Sequence, residues 1–509
     1  NSEEGKLHRQ ILEPMTRHGV CPDCHGARLN QEVLSCRING KNIAEVTALP
    51  LRELLEWLES IQSPLAEDLK RTLGARIRAL VEIGLDYLSL DRGMSTLSGG
   101  EAQRCKIAKY LNSSLSDILY ILDEPSVGLH SHDIARLIRA VKKLRDGGNT
   151  VLLVEHHKEM IQAADYVVDM GPGAGAAGGQ ILFQGTYPEL LKSSTTTGAF
   201  LRQRTKMKEN VRTPRGWFSL EHETFHNLKD VSVKLPLGVL TVIAGVAGSG
   251  KSSLMECFRR EYPEEVVYIS QKNIGISLRS TPATYVGAAD EIRKIFAKRS
   301  GAKASLFSFN GAGKCPVCGG NGVIVSEMAF MDSIETECEA CHGLRYSDEA
   351  LQYQVDGLNI AQVMDLSVGD AIQWFDKTAV ADMLRPLERV GLSYLHLNQA
   401  LSTLSGGELQ RMKLASYLNT EGKVFVLDEP TDGLHMKDIR HILALFHQMT
   451  DAGNSVFLVE HNLEVLKEAD YVIELGPGGG GEGGEILYAG IPAKITACPR
   501  SVTAPWLSE

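Results

Sequence analysis

Eight residues, GVAGSGKS from Gly245 to Ser252, follow the spacing G-x-x-x-x-G-K-[ST]. An apolar stretch, LTVIA, precedes them, and SLMECF follows with helical spacing. Small residues at Gly245, Gly248, Ser249 and Gly250 let successive backbone N–H groups wrap an anion at a helix N-terminus. Lys251 then brings a positive charge to β- and γ-phosphates. Ser252, backed by Ser253, offers a hydroxyl to a divalent cation. The chemistry this predicts is the holding of a nucleoside triphosphate with Mg²⁺.

Acidic residues complete that chemistry. Asp123 and Asp428 end apolar runs in ILYILDEP and VFVLDEP. A carboxylate there suits Mg²⁺, directly or through water, and the next residue, Glu124 or Glu429, suits polarisation of an attacking water. His156 and His461 each stand in VEH after a further apolar run, placed for contact with the γ-phosphate or that water. A second kind of anion site is written as LSGGE, once from Leu97 and once from Leu404. Ser98, Gly99 and Gly100, and likewise Ser405, Gly406 and Gly407, offer a hydroxyl and open N–H groups at a helix start.

Thiols supply the other chemistry. Cys315, Cys318, Cys338 and Cys341 are spaced C-x2-C-x19-C-x2-C, which fits a closed tetrahedral Zn²⁺ site. Cys21 and Cys24 form one further pair, half of such a site, with His18 and His25 as neighbours that could join it. Cys36, Cys105, Cys257 and Cys498 are scattered and read as ordinary thiols.

These residues need strands and helices to hold them. The buried-strand pattern of ILYILDEP and VFVLDEP recurs in TVLLVEH and SVFLVEH, with amphipathic helical stretches between. Strand–helix–strand alternation predicts an α/β fold. The whole tract is duplicated: LSGGEAQRCKIAKYLN and LSGGELQRMKLASYLN lie 307 positions apart (404 − 97), and the same motifs follow each in the same order. The duplication reaches back to CPDCHG at Cys21 and CEACHG at Cys338. The phosphate loop occurs once, so the expectation is one complete nucleotide site and a second whose phosphate loop would lie upstream of Asn1.

Read as the ATP-binding cassettes these motifs resemble, the segments divide as follows: residues 1–90, a remnant of a first signature and zinc-insertion domain; 91–190, the C-terminal part of a first cassette; 191–215, a polar linker. Then come 216–262, the N-terminal part of a second cassette; 263–400, an inserted domain with the zinc module at about 312–345; and 401–509, the C-terminal part of that cassette. Five hundred and nine residues are too many for one ordinary core. No apolar run approaches the roughly 20 residues that span a bilayer, and a cytoplasmic protein with no membrane partner is expected. The net charge of −10 gives no bulk attraction to nucleic acid, so such a surface must be local. Arg279, Arg293, Lys294, Lys298, Arg299, Lys303 and Lys314, interleaved with Phe307 and Phe309, make the candidate patch for phosphate contacts.

LSGGE, a phosphate loop, LDEP and VEH together resemble the ATP-binding cassette ATPases. The resemblance implies tandem ABC-type cassettes with helical signature domains and inserted zinc modules, with ATP, Mg²⁺ and Zn²⁺ as cofactors. It also implies that Gln271 in VVYISQKN is the Q-loop residue. In that family each LSGGE closes on ATP held by the opposite cassette, so the copy at Leu97 is expected at the Gly245–Ser252 site.

Zinc modules between phosphate loop and LSGGE narrow the match. RSTPATYVG, LFSFNGAGKCPVCGGNGVI, CEACHGLRYSDEAL, LSTLSGGELQRMKLA and LDEPSVGLH resemble the UvrA family over essentially the whole chain. The family implies an ATPase that binds damaged duplex DNA in nucleotide-excision repair as a homodimer, with UvrB as partner and no nuclease activity of its own. Two features depart from the repair subunit. KSSLMECFRREYPEEVVYISQ is short between phosphate loop and Q-loop, and VEHH replaces VEHD. The short segment suggests a UvrA-like paralogue acting on drug-bound DNA in self-resistance to DNA-intercalating antibiotics. An ABC protein of the ribosome or of a transporter, and a non-hydrolysing DNA clamp, are the readings from other classes.

Overall fold

The computed structural model describes residues 19–97, 99–112, 115–173, 178–203, 205–270, 279–326, 334–418 and 420–507. Ser98, Gln271 and His18 lie outside the described residues. The chain divides into two compact units, Asn1–Ile118 with Ala140–Thr150, and Leu119–Arg139 with Val151–Glu509.

The first unit is helical. Helix α1 (Leu51–Glu59) buries Leu51, Leu54 and Leu58, the one-face spacing of an amphipathic helix. It packs on α2 (Glu67–Glu82), which packs in turn on α3 (Gly99–Leu111), the helix opened by the first LSGGE. Arg104 of α3 is 1% exposed. Its guanidinium is satisfied by the Gly84 carbonyl at 3.1 Å.

The second unit is built on strands. In the first repeat β1 (Leu119–Asp123), ending in the acid of LDEP, pairs with β2 (Thr150–Val154), which leads into VEH; α4 (Ser131–Asp146) lies between them in sequence, and Ala140–Thr150 belong to the first unit. Strands β3 (Val167–Gly171) and β4 (Gln180–Gly185) form a separate antiparallel pair. After the hairpin β5 (Trp217–Glu223) and β6 (Val231–Pro236) comes β7 (Leu240–Gly245), then α5 (Lys251–Glu261) and β8 (Val266–Ile269). Helix α6 (Ala288–Ser300) opens a mostly helical insertion that carries the short hairpin β9 (Val323–Ser326) and β10 (Ile334–Glu337). The chain returns through α7 (Gly406–Ala415), β11 (Val424–Asp428), α8 (Met436–Asp451), β12 (Ser455–Val459), β13 (Tyr471–Gly476) and β14 (Glu485–Gly490).

Six of these strands form one sheet in the order β14-β13-β7-β12-β11-β8, parallel except for β14. Strand β7, which delivers the phosphate loop, lies between β12 and β13. Alternate side chains enter two cores. Leu240, Val242, Phe425 and Leu458 join one, while Ile243, Val426, Phe457 and Leu475 join the other with Leu254 and Phe258 of α5. Burial on both faces is why these strands read as unbroken apolar runs.

The first repeat is different. Its two strand pairs remain separate, and Leu119, Ile121, Leu152, Val168 and Met170 are exposed. Their counterparts Val424, Val426, Phe457, Ile473 and Leu475 are buried in the core that contains α5. The segment expected as a linker is anchored within this unit: Lys208 and Arg212 pair with buried Asp470 at 2.7 and 2.8 Å.

Candidate nucleotide and metal sites

The phosphate loop has the backbone its glycines allow. Gly245 has φ +137°, and a Cβ there would stand 2.1 Å from the Leu475 carbonyl oxygen, so no side chain fits. Gly250, with φ +104°, turns the chain into α5. Asn227 Nδ2 donates to the Gly248 carbonyl at 2.8 Å, as does the Gly480 N–H at 3.0 Å, holding the loop from outside. The Ser249 hydroxyl is buried without a partner among the described residues. Lys251 Nζ donates to the Gly245 and Val246 carbonyls at 2.8 and 3.0 Å. Burial pulls this ammonium below its usual range, against the attraction of Glu429 and Asp428. Ser252 is exposed and Ser253 half-buried on the first turn of α5.

Asp428 ends β11 one strand away from β8, and Tyr268 of β8 donates to its carboxylate at 3.4 Å. Glu429 follows with φ +50° and donates its N–H to the Val459 carbonyl at 2.9 Å. His461 leaves β12 beside it, with Nδ1 3.9 Å from Glu429 Oε1 and Nε2 3.7 Å from Asp432 Oδ1. Burial first, then the Lys251 cation, holds this imidazole well below its usual pKa. It is therefore neutral, able to hydrogen-bond a phosphate oxygen or water without adding charge.

Glu460 was not read from the sequence as part of the site, although both repeats carry the acid in VEH. It is 1% exposed and accepts from Thr431 N (3.0 Å), Thr431 Oγ1 (2.5 Å), His461 N (3.1 Å) and Asn462 N (3.3 Å). One carboxylate thus ties the loop after Glu429 to the loop bearing His461. Burial raises it to about 7. Gln410 of α7 was also missed. Its amide donates to the Ile269 and Asp428 carbonyls at 3.0 and 2.9 Å, joining the signature helix to β8 and β11.

The first repeat reproduces this arrangement. Glu124 has φ +43°, His156 Nδ1 lies 3.7 Å from its Oε1, and Glu155 takes the Glu460 position by accepting from Ser126 N and Oγ at 3.1 and 2.8 Å. Burial, then Asp123, raises the Glu124 carboxyl, and burial lowers His156 to about 4. Asp123 itself is exposed. A cavity of about 320 Å³ includes His156, His157, Asp432 and His461 in its lining.

The two LSGGE loops lie in different units. In the second, Ser405 caps α7: its Oγ accepts from Glu408 N at 3.2 Å, and Glu408 Oε2 accepts from Ser405 N at 2.8 Å. Gly406 and Gly407 form the first turn. In the first, Gly99 and Gly100 open α3, and Glu101 accepts from Tyr87 at 2.7 Å, as Glu408 accepts from Tyr394.

The four cysteines Cys315, Cys318, Cys338 and Cys341 are brought together and buried, with all sulfurs within 4.8 Å of one another. Cys315–Cys338 and Cys318–Cys341 are 4.0 and 3.7 Å apart. Tetrahedral Zn²⁺ with Zn–S bonds of about 2.3 Å needs sulfurs roughly 3.8 Å apart, so the set fits the ion. Burial opposes the Cys318 thiolate, but the N–H groups of Gly322 and Gly320, together with the Cys341 and Cys315 thiols, outweigh it and bring the thiol down to about 7. Cys21 and Cys24 sit in the same kind of turn, with His25 at φ +46° like His342 at φ +46°. They are exposed and half-buried, with no third ligand in reach among the described residues.

The basic stretch is only partly free. Arg279 donates to Asn321 Oδ1 at 3.0 Å and to the Gly319 carbonyl at 3.3 Å, bracing the zinc knuckle. Arg293, Lys294 and Arg299 pair with Asp290, Glu291 and Asp356. Lys298, Lys303 and Lys314 are exposed. Phe307 and Phe309 do not interleave with these charges at the surface. They are 0% and 4% exposed and pack against Phe296, Tyr353 and Tyr346.

Known proteins resemble this chain in sequence and fold. The sequence profile of the ABC transporter family matches residues 228–432. UvrABC system protein A of Thermus thermophilus is 43% identical over 98% of this chain and 57% of its own length. That of Aquifex aeolicus is 41% identical over 100% of this chain and 60% of its own. The crystal structure of UvrA2 from Deinococcus radiodurans superposes with a TM-score of 0.92 at 38% identity, covering 100% of this chain and 68% of that one. The chain belongs to the UvrA family. It spans 57% and 60% of the two curated UvrA relatives above. The UvrA resemblance read from the zinc pairs and LSGGE copies is thus borne out, as is the α/β cassette fold. Among the described residues no helix is long and apolar enough to cross a membrane.

Proposed function

We propose that this chain is an ATPase of the UvrA kind that binds damaged duplex DNA in nucleotide-excision repair, ATP binding and hydrolysis gating its grip. The observation that carries the reading is the set Asp428, Glu429 and His461 at the ends of the neighbouring strands β11 and β12, with Lys251 on the first turn of α5 after the glycine loop. Lys251 and the loop N–H groups would hold the phosphates. Ser252 and Asp428 would hold Mg²⁺, which neutralises charge on the transferred group. Glu429 would orient water, and neutral His461 would take a γ-phosphate oxygen. Ser405–Gly407 and Ser98–Gly100 would close on nucleotide, and the Cys315–Cys341 set would hold Zn²⁺ as a structural ion. Within the basic stretch, the exposed Lys298, Lys303 and Lys314 would meet DNA phosphates. A homodimer and a UvrB partner follow from the family and belong to the same proposal.

Two measurements test it. Lys251→Ala should abolish ATP hydrolysis; full residual turnover would place hydrolysis elsewhere. Gel shifts on lesion-bearing duplex should weaken with salt. Replacing all three lysines by Ala should flatten that dependence by about 0.9 in log–log slope for each phosphate no longer neutralised. Absence of binding at low salt would overturn the DNA assignment.

A further inference from the structure

The loop from Glu429 to His435 is held at three places. Its start is fixed by the Glu429–Val459 backbone bond and its middle by Glu460, both within the second repeat. Its end is fixed from the first repeat. His435 Nδ1 accepts from Lys437 N at 3.2 Å, which leaves the proton on Nε2. That Nε2–H points to Thr197 Oγ1 at 3.2 Å, and Thr197 donates to Asp169 Oδ1 at 2.8 Å. Every donor and acceptor in this chain of three is assigned.

The mirror chain runs the other way. His130 ends the loop that begins at Glu124. Its Nε2 lies 3.1 Å from Thr503 Oγ1, and Thr503 donates to Glu474 Oε1 at 2.5 Å. Glu474 is on β13, paired with Ala244 of β7 next to the phosphate loop. The loops also touch the opposite acids: a Cβ on Gly128 would stand 3.4 Å from Glu429 Oε2, and one on Gly433 3.3 Å from Glu124 Oε2. Among the described residues, Asp169 and Glu474 each keep a second carboxylate oxygen buried without a partner. Glu474 Oε1 also accepts from Thr503 N at 2.8 Å. A buried acid with one oxygen left uncompensated is a poor choice for stability alone, and the crossed pattern occurs twice.

We propose that Thr197 and Thr503 are positioning residues for ATP hydrolysis. Each closes an acid–threonine–histidine latch that holds the loop of the opposite repeat's catalytic glutamate. This rests on the ATPase reading above. It extends the site to two residues near the ends of the repeats, far in sequence from any motif.

The test is steady-state ATP hydrolysis by the full chain. Wild-type turnover that Lys251→Ala abolishes establishes the reading on which the latch depends. Thr197→Val keeps the shape and removes the hydroxyl. It should lower kcat about tenfold, equivalent to about 1.4 kcal/mol in the barrier, with KM for ATP unchanged, because Glu429 and not the phosphate loop is displaced. Thr197→Ser should restore most of kcat. His435→Ala combined with Thr197→Val should be no slower than the slower single variant. If Thr197→Val does not fold, Ser against Ala at 197 carries the same comparison. An unchanged kcat, a rise in KM alone, failure of Ser to rescue, or multiplicative losses in the double variant would overturn the latch. Absent wild-type turnover would instead overturn the ATPase reading.

Discussion

His461 and His156 are neutral in the folded protein because burial denies their imidazolium forms solvent. In the unfolded chain they titrate near the ordinary value of about 6.5. Below that pH the unfolded state binds protons the folded state refuses, so stability falls as pH drops, down to about 4 for His156. Glu460 acts oppositely: raised to about 7, it takes up a proton on the folded side first and offsets one histidine. The expected net result is a melting temperature that declines from pH 7 to 5. His156→Gln should reduce that decline by up to about 1.4 kcal/mol per pH unit. A variant that melts in parallel with wild type would show His156 charged in the fold. Glu429→Gln tests the acid itself: ATP binding should persist while hydrolysis drops by at least about a hundredfold, read by nucleotide binding and phosphate release.

At the scale of elements, the glycine loop takes its shape from β7, which is wedged between β12 and β13. That packing puts the Leu475 carbonyl against Gly245. Gly245→Ala should destabilise the protein by roughly 3 kcal/mol or more, since backbone must move to admit the methyl. Gly287→Ala, at φ +80° with nothing within 4 Å, bears conformational strain alone and should cost about 1 kcal/mol. Urea midpoints separate the two; equal losses would mean the close approach at Gly245 is relaxed at little cost. The same sheet accounts for the different look of the two repeats. Where α5 packs on the sheet, Val426 and Phe457 are buried, whereas Ile121 and Leu152 of the first repeat are exposed among the described residues.

For the whole molecule, Zn²⁺ held by the four cysteines would contribute binding energy that becomes folding energy, because the unfolded chain holds no preformed site. Elemental analysis should find about one Zn²⁺ per chain for the Cys315–Cys341 set. Cys338→Ser should remove it and lower the melting temperature of the inserted region. A folded, metal-free wild-type protein would refute the site. The chain's net charge of −10 also makes any grip on DNA depend on local cations.

Sequence alone determined the features that spacing encodes. G-x-x-x-x-G-K-S, LDEP, VEH and the paired cysteines each place their chemistry within one turn, strand end or knuckle, and there local geometry follows from residue type. The duplication and the α/β alternation were legible for the same reason. Only the tertiary structure decided which residues meet across long separations. Thr197 and Thr503 sit in stretches with no motif, and their histidines lie 238 and 373 positions away. Phe307 and Phe309 showed the converse: alternation with basic residues suggested a surface, but an aromatic side chain gains more by filling a core than by facing water. Glu460 stood in plain view beside His461. Its role emerged only when folding placed Thr431 against it, since a buried carboxylate is defined by the donors that surround it.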